Sequence, residues 1–443
     1  MDNQWEQREM WQPEEPRKRH RSGFGAGVLV GVLSTMLVVL LAGAVAAGAY
    51  ITLRRGTGSQ GDTAERQTGQ GGDLDTGMTW NADLLSQAAM IDTYLDEYYM
   101  YEVDREELRD GMLSGMVAAL GDPYSEYYNE EELSSFHDST QGEYVGIGAA
   151  VSQERSSGIV KISRPYEGTP SAQAGLLPGD VIIAVDDTQV TGMDLNQVVG
   201  LIKGEAGTTV MMHIYREEGN QYLDIEVTRA QVEIPTVIPK MLEGNIGYLE
   251  VTGFDGVTAK QFISAYESLQ GQGMEAVIVD LRDNGGGLVD TVEEMLDFLL
   301  PEGTIFYAQD KNGEKSMIYE SDAEAALDIP MVVLVNGNTA SASEIFSGNI
   351  QAFGKGTIVG TTTYGKGVMQ QLFYTNEERT AAVKLTVADY YINGDKNVNG
   401  GGIVPDVEVE LSEEASRLVD IPEEDDNQLQ KGIEILKGQM AGN

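Results

Sequence analysis

From residue 80 onward the spacing of hydrophobic positions changes three times. LLSQAAMIDTYLDEYYMYEV (84–103) and REELRDGMLSGMVAAL (105–120) repeat apolar residues every three or four places, the period of an amphipathic helix. GDPY (121–124) ends the second. Both helices are short, so their apolar faces must pack on this chain or on a second copy. Between 143 and 229 the runs EYVGIGAAVSQ, GIVKISRP, GDVIIAVDD, TVMMHIYR and YLDIEVTR are short, β-rich and parted by turn residues. Helical stretches SAQAGL (171–176) and DLNQVVGLIKG (194–204) interrupt them. From 234 to 411 strands alternate with helices. IGYLEV (246–251), AVIVDL (276–281), MVVLV (331–335), GTIVG (356–360) and AAVKLTV (381–387) read as strands, and 258–270, 289–299 and 342–353 as helices. That alternation predicts an α/β domain. The tail 423–440 reads as one helix, acidic first and basic last, as its macrodipole favours.

Residues 23–53 carry no charge and are long enough to cross a bilayer with some tilt. RKRHR (17–21) precedes them and only Arg54 and Arg55 follow closely, which places the N-terminus in the cytoplasm and the rest outside. A cleaved signal peptide is the alternative, since AVAAGA (44–49) offers small residues for cleavage, but its apolar region is usually shorter. Residues 54–79, rich in Gly, Ser, Thr and Gln, read as a flexible tether. The expected layout is a cytoplasmic tail 1–22, a transmembrane helix 23–53, a linker 54–79 and a helical region 80–142. A β-rich domain 143–229, an α/β core 230–411 and a C-terminal helix 412–443 follow.

Composition narrows the chemistry. With 443 residues and a net charge of −42, the chain is an improbable partner for nucleic acid, which requires a positive surface. It has no cysteine, hence no disulfide, no thiolate nucleophile and no Cys-ligated metal.

NTASASEIF (338–346) places two serines between the buried run MVVLV and a helix. One reading is helix capping; the other is a nucleophile, which needs a base. The three histidines, His20, His137 and His213, all lie outside the α/β region, and there is no HExxH for zinc. Lysine is the other base. Lys366 in TYGKGVMQ (363–370) lies between two glycines and uncharged neighbours, a setting that can lower its pKa by burial. A surface lysine in a glycine turn is the plain alternative. DKNVNGGGIVPD (395–406) mimics a calcium loop, yet β-like runs flank it and no bidentate Glu ends it, so a Gly/Asn-rich hairpin is expected and no metal or other cofactor.

Two resemblances sharpen this. YVGIG (144–148), AGLLPGDVIIAVDD (174–187) and the helix at 194–204 resemble a PDZ domain. The resemblance implies a groove for a free, apolar C-terminus, with Gly146, Ile147 and Gly148 in the carboxylate loop and Val198, Val199 and Ile202 on the groove helix. NTASASEIFSGNIQ, TYGKGVMQ, LRDNGGG (281–287) and GGGIVPDVEV (400–409), in this order behind a PDZ, resemble the C-terminal processing peptidases over roughly residues 80–440. That family implies an α/β protease core of the ClpP/crotonase-like type with a smaller β-rich part. It also implies Ser341 as nucleophile, Lys366 as general base, Gln370 orienting the lysine, and an oxyanion hole from the backbone of Ala342 and Gly287. Ser343 would then help cap the helix. Some relatives carry an acidic residue eleven positions past the nucleophile; here it is Ala352. The expectation is a single-pass membrane serine endopeptidase, catalytic part outside, that cuts protein tails; the resemblance also allows a homodimer through its terminal helices. A catalytically idle, anchored PDZ scaffold is the alternative. A trypsin-like PDZ protease is disfavoured by domain order and by the missing His.

Overall fold

The computed structural model describes residues 82–154, 157–322, 328–418 and 421–442. The uncharged run 23–53 and the tether 54–79 lie outside them. Among the described residues no helix is long and apolar enough to cross a membrane. Helix Arg105–Ala118 is capped by Asp104, buries only Val117 and leaves Met112 and Met116 exposed.

The apolar runs of the α/β region form one sheet, covered on both faces. Ile246–Val251, Ala276–Asp280, Met331–Val335 and Thr357–Gly360 lie side by side and parallel, with Val237–Leu242 antiparallel at one edge and Val407–Glu408 at the other. Strands buried on both sides read as continuous apolar runs, and alternate residues serve opposite faces. Val277, Val279, Val333 and Val335 pack with Phe262, Met295 and Phe346 of helices Thr258–Gly271, Val289–Leu299 and Ala342–Ala352. Ile278, Val332 and Leu334 pack with Leu429, Ile433 and Leu436 of helix Asn427–Ala441. Arg282 fastens that helix to the sheet: it pairs with Asp280 at 2.6 Å and Asp426 at 2.7 Å, all three buried or nearly so.

A second, antiparallel sheet runs in the order Glu126–Tyr128, Ala382–Ile392, Gly303–Asp310 and Lys315–Ser321, and Val368–Tyr374 also pairs with Ala382–Ile392. The sequence reading found only the start of its longest strand.

The β-rich region divides where one strand was expected. EYVGIGAAVSQ breaks into Glu143–Gly146 and Ala149–Gln153. At the break Gly148 has φ +78°, and its carbonyl accepts the Tyr166 N–H and the Thr169 and Ser171 hydroxyls. The first piece pairs with Ala230–Glu233 as a two-stranded ribbon, while the second joins the sheet of the domain proper. Helix Leu195–Ile202, capped by Asp194, closes that sheet with Val198 and Ile202 in its core.

Candidate active site

Three adjacent parallel strands end at one edge of the core sheet, and each hands over to one of the three motifs. Residues 281–287 follow Ala276–Asp280, 336–341 follow Met331–Val335, and 361–367 follow Thr357–Gly360. The carboxyl ends of parallel strands are where α/β proteins assemble their chemistry.

The first two loops are stitched together by buried polar groups. Asn284, fully buried, donates to the Val251 carbonyl at 2.7 Å and accepts the Gly286 N–H at 2.9 Å. Its own carbonyl accepts the Ala340 N–H at 3.0 Å and the Ser343 hydroxyl at 3.0 Å. Ser343 is therefore not the expected cap. It lies inside the first helical turn, and Ser341 holds the N-cap position with Glu344 closing back on its N–H. The S-x-x-E spacing of 341–344 is the signature that reveals this.

Ser341 has φ 58° and ψ −118°, a conformation that L residues avoid and that persists only where the surroundings over-determine it. They do so here. The Ser341 N–H donates to Glu344 Oε2 at 2.9 Å, and the Lys366 N–H donates to the same oxygen at 2.8 Å. Glu344 Oε1 takes the Thr363 hydroxyl at 2.6 Å and the Gly365 N–H at 2.8 Å. The Tyr390 hydroxyl lies 2.6 Å from the Lys366 carbonyl and 3.3 Å from that of Ser341. A buried carboxylate and a buried phenol thus tie the serine turn to the lysine turn, although neither was singled out as functional from the sequence.

The lysine loop rests on the stretch that mimicked a calcium site. The Gly400 N–H donates to the Gly365 carbonyl at 2.9 Å, and a Cβ on Gly367 would lie 2.4 Å from the Asn399 nitrogen. Asp395 accepts the Tyr307 hydroxyl and Asn397 donates to the Tyr390 carbonyl. Among the described residues no group of three metal-ligating side chains occurs. Burial, and next the charge of Lys384, push the Lys366 amine below its ordinary pKa, against the opposite pull of Asp122 and Glu344. Its ammonium lies 4.7 Å from the centre of the Tyr124 ring. Gln370 donates through its NH2 to the Thr386 hydroxyl at 3.1 Å across the strand pair.

Opposite the serine turn lie the glycines of 281–287. A Cβ on Gly286 would fall 2.8 Å from Ser341 Cβ and 2.9 Å from the Ala342 nitrogen. The Gly286 carbonyl accepts the Phe254 N–H at 3.1 Å. Across a trans peptide the Gly287 N–H therefore points away from Phe254. Ala342, buried at the first helical position, has an N–H with no partner inside the helix. This is a strand–turn–helix serine with backbone donors beside it and a lysine of lowered pKa nearby, the parts needed for acyl transfer.

In the β-rich domain a cavity of about 280 Å3 opens beside Ile147, Ala149, Val151, Val199, Ile202 and Lys203. Val198, expected on the groove, is fully buried in the domain core. Gly146 pairs with Ala230 in the ribbon, and Gly148 forms the turn after it. Helix Glu130–Gln141 supplies a further wall, with Asp138 bonded to Lys203 at 3.0 Å.

Comparison with known proteins agrees with these parts. The peptidase family S41 profile matches residues 245–409, a PDZ profile 161–216, and the profile of the activating protease CtpB N-terminal domain 40–132. The carboxy-terminal processing protease CtpA of Bacillus subtilis is 36% identical over 72% of this chain and 67% of its own length. A carboxy-terminal-processing protease of Bartonella bacilliformis is 34% identical over 70% of this chain and 72% of that one. Among solved structures, a photosystem II D1 C-terminal processing protease aligns with 73% of this chain and 87% of its own at 29% identity, with a TM-score of 0.43. The chain belongs to the carboxy-terminal processing proteases of peptidase family S41, serine-type peptidases, and carries a PDZ domain.

Proposed function

We propose that this peptidase cuts protein tails outside the cytoplasm by a Ser/Lys mechanism, and that its PDZ domain selects substrates by a free, apolar C-terminus. The observation that carries the mechanism is the shared Glu344 oxygen, which fixes the backbones of Ser341 and Lys366 to one atom. Ser341 Oγ attacks the scissile carbonyl carbon while neutral Lys366 takes its proton. The backbone N–H groups of Ala342 and Gly287 hold the oxyanion. Lys366 then returns the proton to the departing amine; neutral again, it takes a proton from the water that attacks the acyl-enzyme and gives one to Ser341 Oγ as the acid product leaves. Gln370, held by its NH2 on Thr386, orients the lysine through its remaining amide oxygen.

The groove around Val199 and Ile202 supports recognition of a small apolar side chain, with the peptide added beside Ala149–Gln153. Membrane anchoring is supported by the uncharged run 23–53 behind RKRHR. Exposed Met112 and Met116 on helix Arg105–Ala118 support self-association through that helix.

The test is cleavage of an unstructured protein with an apolar C-terminus by the full chain in detergent. Wild type should cut, and Ser341→Ala and Lys366→Ala should not. Amidating the substrate's C-terminus should weaken cutting. Equal cutting by all three proteins would refute the dyad.

A further inference from the structure

Lys366 has to be neutral to act, and burial favours that form, yet its side chain lies against an aromatic face that attracts the cation. Among the described residues its ammonium makes no hydrogen bond and no ion pair. What it faces is the Tyr124 ring, 4.7 Å from the centroid. The two residues are far apart in sequence, so the fold has to bring them together, and it does so firmly. Strand Glu126–Tyr128 pairs with Ala382–Ile392 in the register Glu126 opposite Lys384. Just before it, the turn 121–125 closes on Asp122. The carboxylate accepts the Tyr124 N–H at 3.1 Å and the Ser125 hydroxyl at 2.5 Å, and the Ser125 and Thr386 side chains help hold its pKa down against burial. The Ser125 hydroxyl in turn accepts the Thr386 N–H at 3.1 Å. Thr386 is the residue that Gln370 binds. Tyr364, two positions before the lysine, is the neighbour that most raises the pKa of the Tyr124 hydroxyl.

We propose that the Tyr124 ring is the resting seat of the protonated Lys366 side chain, so that residues 122–124, brought from the N-terminal region, are positioning residues of the active site. The inference rests on Lys366 being the base. The aromatic face attracts an ammonium and gives nothing comparable to a neutral amine. When Lys366 loses its proton, the attraction ends and the amine is free to turn to Ser341. When it takes the serine's proton, the seat is available again until the leaving amine collects it. Tyr124 is itself neutral throughout, because its hydroxyl is pushed up to about 12, first by the neighbouring Tyr364 phenol and then by burial. The charged and titratable groups facing Lys366 are thus Asp122 of the turn, Glu344 of the helix, Lys384 of the adjoining strand, and the Tyr124, Tyr364 and Tyr390 phenols. Only Tyr124 offers its ring to the ammonium.

The test compares pH profiles of kcat/KM for wild type, Tyr124→Leu and Tyr124→Phe. Removing the ring destabilises the cation, so Tyr124→Leu should move the lysine midpoint down by about 0.4–1.5 pH units. Tyr124→Phe keeps the face and should keep the wild-type midpoint. A Leu variant that is slower at every pH with an unmoved midpoint would show a merely structural residue and overturn the proposal. So would a Phe variant that shifts as far as the Leu variant. A second measurement needs no turnover. In Ser341→Ala protein, the Lys366 Hε signals, assigned with Lys366→Arg, should be displaced upfield by the ring current and return in Tyr124→Leu. Unshifted signals would overturn the seat. Wild-type cleavage by Lys366→Ala would instead refute the dyad, while the ring-current result would still report where the side chain rests.

Discussion

One oxygen of Glu344 accepts the backbone N–H of both Ser341 and Lys366. Because its other oxygen takes Thr363 and Gly365, a Gln at this position sets a donor NH2 against two donors, whichever way it turns. Glu344→Gln should lower activity by at least about 100-fold, since small displacements in a catalytic pair are that costly. It should also destabilise the protein by about 2–4 kcal/mol from buried hydrogen bonds left unmade. Urea unfolding and peptide hydrolysis measure the two effects. Full activity in the variant would show that the shared oxygen does not set the dyad.

Neighbouring glycines of 281–287 separate spacing from composition. A Cβ on Gly286 meets Ala340, Ser341 and Ala342 atoms at 2.7–2.9 Å, and φ there is +101°; a Cβ on Gly285 meets nothing within 4 Å. Gly286→Ala should reduce kcat by about tenfold or more by pushing the serine turn away from its donors. Gly285→Ala should stay within about twofold of wild type. Equal effects at the two positions would mean that the close approach is not what catalysis uses.

The pH dependence has a definite sign. The proposed mechanism needs the neutral amine, so kcat/KM should rise with pH and reach its plateau below the ordinary lysine value of 10.5. The same shift affects stability. The folded protein holds this proton less tightly than the unfolded chain does, so between the lowered folded pKa and 10.5 unfolding takes up a proton and stability rises with pH. Lys366→Met should therefore gain thermal stability near neutrality and lose the gain above 10.5. A gain that persists at alkaline pH would point to packing rather than to charge.

Adjacent valines of helix Leu195–Ile202 divide fold from recognition. Val198 is wholly buried in the domain core, while Val199 lines the cavity. Val198→Ala should cost about 2 kcal/mol by leaving a void. Val199→Asp should weaken binding of an apolar, free C-terminal peptide by about tenfold or more, because its carboxylate opposes that of the peptide. Unchanged peptide affinity in the Val199 variant would move the binding groove elsewhere.

What the sequence disclosed depended on how each element is stabilised. Met331–Val335 and Ala276–Asp280 were visible because both faces are buried and every position is apolar or nearly so. Val368–Tyr374 was invisible as a strand. Its residues are half-exposed on either side and show no alternation, and its pairing with Ala382–Ile392 is what holds it. Ser341 and Lys366 stood out through family motifs, whereas Tyr390 and Tyr124 reach the same site only through strand register. Glu344 was not legible as a hub, because three of its donors come from residues 363–366. Val198 and Val199 show the limit at its finest. Adjacent apolar positions on a short helix divide between core and groove only once the sheet beneath is placed.

The ribbon of Glu143–Gly146 with Ala230–Glu233 gives the PDZ domain a single doorway. The chain enters and leaves it through four facing residue pairs, so the whole reader is an insertion in the protease rather than a bead ahead of it. A module whose chain passes in and out through one ladder can be exchanged for another while both cut ends stay in register. On the proposed function, tail preference and bond-breaking machinery are then free to diverge separately.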